Sequence, residues 1–440
     1  MTASLDRAKR WRNWGRSESI RPRFAARPAS ADEVVAVVRQ ARESGLGVKA
    51  IGAGHSFTGI AAAPGIQLDL SGLSGLLGVD ARTGRVKLAA GTHLYDIPAL
   101  LAPHGLAMEN LGDIDRQTIS GATSTGTHGT GANFRGIAAQ IVAVTLVTAQ
   151  GTVLTVSETE NAELLPAARL GLGALGILVD ITLQCVPTFV LQAKERPEPL
   201  DAVLESFQER VAAADHFEFY WFPHTATALT KTNTRLPADA PRHPLGTFEE
   251  WLDDRVVSNT LLAAISNLGH ALPTVTPPIN RLATRLTGNR DFTDFSTNVF
   301  VSPRRVRFKE MEYALPLEAV PHALREVRSL IEARGWQISF PIEVRSAAAD
   351  TLWLSTASGR TSGYIAVHRY FRDDHHEYFR AVEQIMRGYE GRPHWGKIHY
   401  QDAASLDALY PHHSDFVAAR DRLDPDRVFS NPYLERVLGA

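Results

Sequence analysis

The stretch KAIGAGHSFTGI, Lys49 to Ile60, runs from an apolar strand end into a glycine-rich turn. Glycine bends through positive φ at little cost and lets a backbone come close to a ligand, so Gly52 and Gly54 mark a tight approach. Consecutive amide N–H groups in such a bend form a concave site for anions, most often phosphates. A phosphate cradle has no need of an imidazole, so His55, set between Gly54 and Ser56, requires a second explanation.

On the N-terminal side, PASADEVVAVVRQARESG (28–45) predicts a helix. Ser30 or Asp32 caps it, Val34, Val37, Val38 and Ala41 form one face, and Gly45 stops it. On the C-terminal side, GIQLDLSGL and GRVKLAAG alternate like half-buried strands, and THLYDIPALLAPHGL reads as a helix. IVAVTLVTAQGTVLTVS reads as a hairpin about Gln150 and Gly151. AELLPAARLGLGALGILVDITLQCV then gives a helix, a glycine segment and a strand. These mixed units make the first half α+β rather than strictly alternating βαβ.

A second small-residue run, GDIDRQTISGATSTGTHGTG (112–131), sets Thr118, Ser120, Thr123, Ser124, Thr125 and Thr127 among Gly121, Gly126, Gly129 and Gly131, with His128 inside it. With little apolar area to bury, it is expected as a loop whose backbone and hydroxyls wrap a phosphate-bearing or polar heterocyclic ligand. GLGALG matches the dinucleotide fingerprint only literally. Gly171, Gly173 and Gly176 follow a helix and precede a strand, the reverse of the order that aims a helix N-terminus at a pyrophosphate. A connection packed near a ligand is expected there.

Beyond Pro187 the texture changes. Residues 236–290 are rich in proline and expected as loops. From about 298 a second β-rich block, VFVSPRRVRFKEMEYALP, precedes a helix over Leu317–Arg334 and the segments WQISFPIEVRSA and YIAVHRYF.

A chain of 440 residues predicts two or three domains. Its 44% hydrophobic and 21% charged residues are ordinary for a globular protein, and a net charge of -2 supplies no basic excess for a nucleic-acid partner. Cys185, the single cysteine, leaves no internal disulfide and fits a reducing compartment. No signal-peptide core and no apolar run near the roughly 20 residues of a spanning helix are present, so a cytoplasmic protein without a transmembrane segment is expected.

GAGHSF (52–57) and ISGATSTGTHGTG (119–131) together resemble the flavin-binding domain of the vanillyl-alcohol-oxidase-type (PCMH-type) flavoproteins. HWGK (394–397), EVR (343–345) and the tail DPDRVFSNPYLERVLG are similar to the aldonolactone oxidoreductase branch, whose members oxidise gulono-, galactono- or arabinonolactones, with the alditol oxidases close by. The resemblance implies a two-domain α+β fold. A PCMH-type FAD domain would span 15–190, completed by the tail 401–440, and an α/β cap domain would span 191–400. It implies FAD held by Gly52, Ala53, Gly54, His55, Ser56, Phe57, Thr118, Ser120, Gly121, Ser124, Gly126, Thr127, His128, Gly129, Gly176 and Ile177. It also implies a covalent tether through His55; a turn histidine bonded to a backbone carbonyl is the alternative.

On the substrate side, Glu343 and Arg345 stand at i and i+2, so in a strand both face one way. By the resemblance, Arg345 and Lys397 are cations facing a developing alkoxide, Glu343 orients Arg345 and substrate hydroxyls, and His368 binds substrate or relays a proton. The implied reaction passes a hydride from a sugar lactone to flavin and electrons onward to oxygen or another acceptor. An alditol oxidase, an idle flavin- or sugar-binding protein and, against the reversed GLGALG, a nicotinamide dehydrogenase are the rivals. No metal site is expected. The adjacent pairs His375–His376 and His412–His413 should diverge and face solvent.

Overall fold

Ser30 opens the first helix, Ala31–Glu43, by accepting a hydrogen bond from the Glu33 N–H, and Val34, Val37, Val38 and Ala41 are its buried face. The chain then enters strand Val48–Ile51, which runs parallel to Ile66–Asp69, itself parallel to Phe24–Ala26. Asp6–Arg7 closes this four-stranded sheet at the other edge, upstream of residue 15. The computed structural model describes residues 5–246, 262–286, 288–302 and 306–440.

A five-stranded antiparallel sheet packs alongside, ordered 153–157, 141–147, 177–184, 85–89 and 76–80. Ile141–Val147 and Val153–Ser157 form the expected hairpin, with Gly151 at φ +73°. Ile177–Gln184 alternates buried and half-buried positions, as a strand with one covered face must. Cys185 lies just past its end rather than inside it, buried, with its thiol pushed up to about 12 by burial.

Eight strands make a third, larger sheet, in the order 290–295, 190–199, 227–236, 216–221, 342–347, 362–370, 308–316 and 392–393. Period-two alternation splits its central strands cleanly. Phe217, Phe219, Ile342, Val344, Ile365, Val367, Met311 and Tyr313 point to a core shared with helix Val320–Arg334 and helix His376–Gly388. The intervening residues, many of them charged, point the other way. Tail helices return to the first body: Phe416, Leu423, Leu434 and Val437 share a core with Val86, Ile119 and Val144.

Four readings change. The run 112–131 is not all loop: Ile119–Thr125 is a helix, capped by Thr118 and ended by Gly126 in the left-handed region. Of the proline-rich stretch, 247–261 lies outside the described residues, but Leu262–Ala271 and Thr276–Leu286 are helices rather than loops. Pro277 and Pro278 sit in the first turn of the latter, where a missing N–H costs nothing. Ser296–Phe300 is helical and the following strand starts only at Phe308, with 303–305 outside the described residues. Each histidine pair splits, with His375 and His413 buried and His376 and His412 exposed. The donor atoms of Asp374, His375 and His376 nonetheless lie within 4.8 Å of one another. Among the described residues, no helix is long and apolar enough to cross a membrane.

Candidate active site

The turn that follows Val48–Ile51 stands where two cavities meet. The narrower, about 990 Å³ counted out to its mouth, runs between the turn, helix Ile119–Thr125 and the 171–176 connection. The wider, about 4450 Å³ on the same count, opens over the charged face of the eight-stranded sheet. His55, Ser56, Gln117 and Thr125 line both.

Glycine lets the walls of the narrow cavity close up. A Cβ on Gly52 would lie 2.4 Å from the Thr118 hydroxyl, and Gly54 sits at φ +70°. Thr118 Oγ1 accepts the Gly121 N–H at 3.2 Å, so strand end, cap and helix start are locked together. Thr123 and Thr125 spend their hydroxyls on the helix's own carbonyls, Ile119 and Gly121, leaving Ser120 and Ser124 on the cavity wall. Gly171, Gly173 and Gly176 line the opposite side. This long, small-residue groove, too narrow for side chains to fill, fits an extended dinucleotide of the FAD type.

His55 stacks on Trp14 with ring centroids 5.4 Å apart. Burial, with Arg116 and His93 adding to it, lowers its pKa to about 4, so the ring is neutral at ordinary pH. The turn is held from far along the chain. Phe57 N–H donates to the Gly396 carbonyl at 2.6 Å, and the Thr58 hydroxyl donates to that of Trp395 at 3.0 Å.

In the wide cavity, sheet register assembles the charges. Strand His216–Trp221 brings Glu218 and Tyr220, Ile342–Ala347 brings Glu343 and Arg345, Ser362–Tyr370 brings His368, and Phe308–Pro316 brings Glu310 and Glu312. Glu310 is paired directly across from His368 and Tyr220 across from Glu343. Arg345 contacts Glu343, with Asp113 at 3.2 Å and Glu218 at 3.3 Å. Burial opposes its charge, but these carboxylates outweigh burial and hold its pKa well above the usual value. Lys397 Nζ lies 2.5 Å from Glu310 and 2.9 Å from Glu312. Burial would strip its proton; the two glutamates reverse that and raise its pKa. His368 Nδ1 faces the Pro341 carbonyl at 2.8 Å, which turns Nε2 toward Glu310, 3.4 Å away.

Glu343, Arg345, His368 and Lys397 therefore line one cavity, and Phe57, Thr127 and His128 line it too. Gly52, Ala53, Gly54, Thr118, Ser120, Gly121, Ser124 and Gly176 line the other. Gly126, Gly129 and Ile177 line neither. Gly126 ends a helix in the left-handed region, Gly129 packs so closely that a Cβ would meet the Leu111 carbonyl at 2.2 Å, and Ile177 begins a core strand. His128 is turned away from the glycine groove toward Glu312. Sequence reasoning missed Glu310, Glu312, Glu218, Tyr220, Asp113 and Trp14. The i, i+2 spacing of Glu310 and Glu312, identical to that of Glu343 and Arg345, is the signal that would have found two of them.

Residues 181–437 match the D-arabinono-1,4-lactone oxidase family model and 22–157 match an FAD binding domain model, ranges that take in most of the lining of the two cavities but not the 171–176 connection. The chain is 45% identical to an L-gulono-1,4-lactone dehydrogenase of Mycobacterium tuberculosis over 429 residues, 98% of this chain and 99% of the relative. It is 34% identical to the L-gulonolactone oxidase of Bos taurus, over 97% of this chain and 98% of that one. Among solved structures, a solvent-stable cholesterol oxidase shares the fold, with a TM-score of 0.83 at 20% identity over 99% of this chain and 98% of that one. On these grounds the chain belongs to the aldonolactone oxidoreductase family and carries that family's FAD-binding domain.

Proposed function

We propose that this protein oxidises a sugar 1,4-lactone of the gulono- or arabinono- type, with FAD lying along the narrow cavity and the lactone in the wide one. The observation that carries the reading is the meeting of a glycine-walled groove and a charged chamber at His55, Ser56, Gln117 and Thr125. Residues 15–190 with the tail 401–440 form the FAD side, and 191–400 form the substrate side. Held there, FAD would supply the acceptor for a hydride from the substrate's hydroxyl-bearing carbon and the route for its electrons to oxygen or another acceptor.

The protein's own groups do the rest. Arg345, fixed by three carboxylates, and Glu343, which also accepts from the Tyr220 hydroxyl at 2.9 Å, orient the ring hydroxyls. Lys397 stabilises negative charge developing on the reacting oxygen. His368, with Nε2 turned toward Glu310, binds a substrate hydroxyl or relays its proton. His55, neutral because it is buried, offers an unprotonated ring nitrogen for a covalent bond to the flavin ring.

Anaerobic mixing of the yellow protein with L-gulono-1,4-lactone should bleach it, and Lys397→Ala should slow bleaching by about 10²-fold. Faster bleaching by xylitol would move the reading to an alditol oxidase. Colour should remain with the acid-precipitated polypeptide and be released from His55→Ala. Release from the unmodified protein would remove the tether but not the FAD.

A further inference from the structure

We infer that His128 is a positioning residue that acts through Glu312 to aim the Lys397 ammonium into the wide cavity. The inference rests on the proposed function for what Lys397 does, but its geometry stands alone. His128 Nδ1 lies 2.8 Å from the Gly129 carbonyl and Nε2 lies 2.9 Å from Glu312 Oε1. Both partners are acceptors, so a ring N–H turned to Glu312 occupies that carboxylate oxygen. It stacks on Tyr364 at 3.7 Å between centroids, and Tyr364 is itself held by Thr356 at 2.9 Å.

The consequence is borne by Glu312. One of its oxygens is occupied by His128, so the other is left pointing at Lys397 Nζ, 2.9 Å away. Glu310 takes a second proton of the same ammonium at 2.5 Å. An ammonium has three donors, so two are spent and the third is directed by default. The backbone fixes the frame: the Glu312 carbonyl accepts the His394 N–H at 3.0 Å, and the Glu310 carbonyl accepts that of Ile398 at 2.8 Å. Gly126 and Gly129, which touch neither cavity, set the loop that presents His128. The THGTG run thereby serves the lysine of HWGK rather than the dinucleotide.

A double-mutant cycle between His128→Gln and Lys397→Met separates this from a packing role. Two readouts apply: the rate of flavin reduction by lactone and the midpoint potential of bound flavin under photoreduction. With Lys397 present, His128→Gln should slow reduction roughly tenfold at a nearly unchanged KM and shift the potential negative. With Met at 397 it should change neither. Equal losses in both backgrounds, or no loss with Lys397 present, would overturn the inference. Glu312→Gln preserves shape but removes the charge and leaves one accepting oxygen for two donors; it should reproduce the His128→Gln effect and not add to it, and additive losses count against the relay. If lactone fails to reduce the unmodified protein, the proposed function falls, yet the potential cycle still reports on the coupling.

Discussion

Lys49 is an amine placed where little water reaches. Its Nζ donates to the carbonyls of Gly173 and Phe429, each at 3.0 Å, tying the glycine connection and the tail to the strand before the turn. Burial lowers its pKa to about 7, with Asp424 pulling the other way. The unfolded chain therefore holds this proton between about pH 7 and 10.5 when the folded one does not. Stability must then rise with pH across that window, with a slope of up to ~1.4 kcal/mol per pH unit. Urea unfolding at pH 7, 8.5 and 10 should show the rise in the unmodified protein and its loss in Lys49→Met; parallel slopes would place the titration elsewhere. Residues of this kind were only partly legible. Arg345 and Lys397 were identified through short motifs, but a Glu-x-Glu in a strand reads as a solvated face. Glu310 and Glu312 became visible only once their strand lay beside His368 and Lys397.

Helix Ile119–Thr125 shows how an element escapes its composition. Hydroxyl-rich and glycine-bearing, it has poor intrinsic helix propensity, which is why the sequence read as a loop. Burial of Ile119 and Ala122, a threonine cap and a left-handed glycine end supply what propensity lacks. By contrast, Ala31–Glu43 and the hairpin around Gly151 were legible because their periodicity and turn chemistry are local. The contact between turn and cap is testable. Gly52→Ala drives a methyl into Thr118 Oγ1 and should cost about 1–3 kcal/mol. Thr118→Ala alone should cost about 1 kcal/mol for the lost cap. The double variant should cost less than the sum, because the colliding oxygen is gone; additive denaturation free energies would show the strain lies elsewhere.

Across the whole molecule, the turn at 52–57 is clasped by segments hundreds of residues away, and no local pattern announces that. The Gly396 carbonyl accepts the Phe57 N–H, that of Trp395 accepts the Thr58 hydroxyl just beyond the turn, and Asn431 gives its amide to the following carbonyls of Gly59, Ile60 and Ala62 at 2.9–3.1 Å. Motif order along the chain carried the family resemblance; only long-range pairing shows how the wide chamber is charged. Among the described residues, Arg345 and Lys397 stand among Asp113, Glu218, Glu343, Glu310 and Glu312. An anionic guest reaching that spot meets two cations already paired with carboxylates, although Arg116, Arg196, Lys231 and Arg290 also line the wider chamber. Sugar lactones open in water to carboxylates, so on the proposed function the pairing of Arg345 and Lys397 should favour a closed ring over its own hydrolysis product. L-Gulonate at tenfold excess should leave lactone turnover within about 20% of its uninhibited rate, and strong competition by it would show that the cations are open after all. On that reading the protein works only on substrate that has not yet aged, and the pH and residence time of its surroundings become part of its specificity.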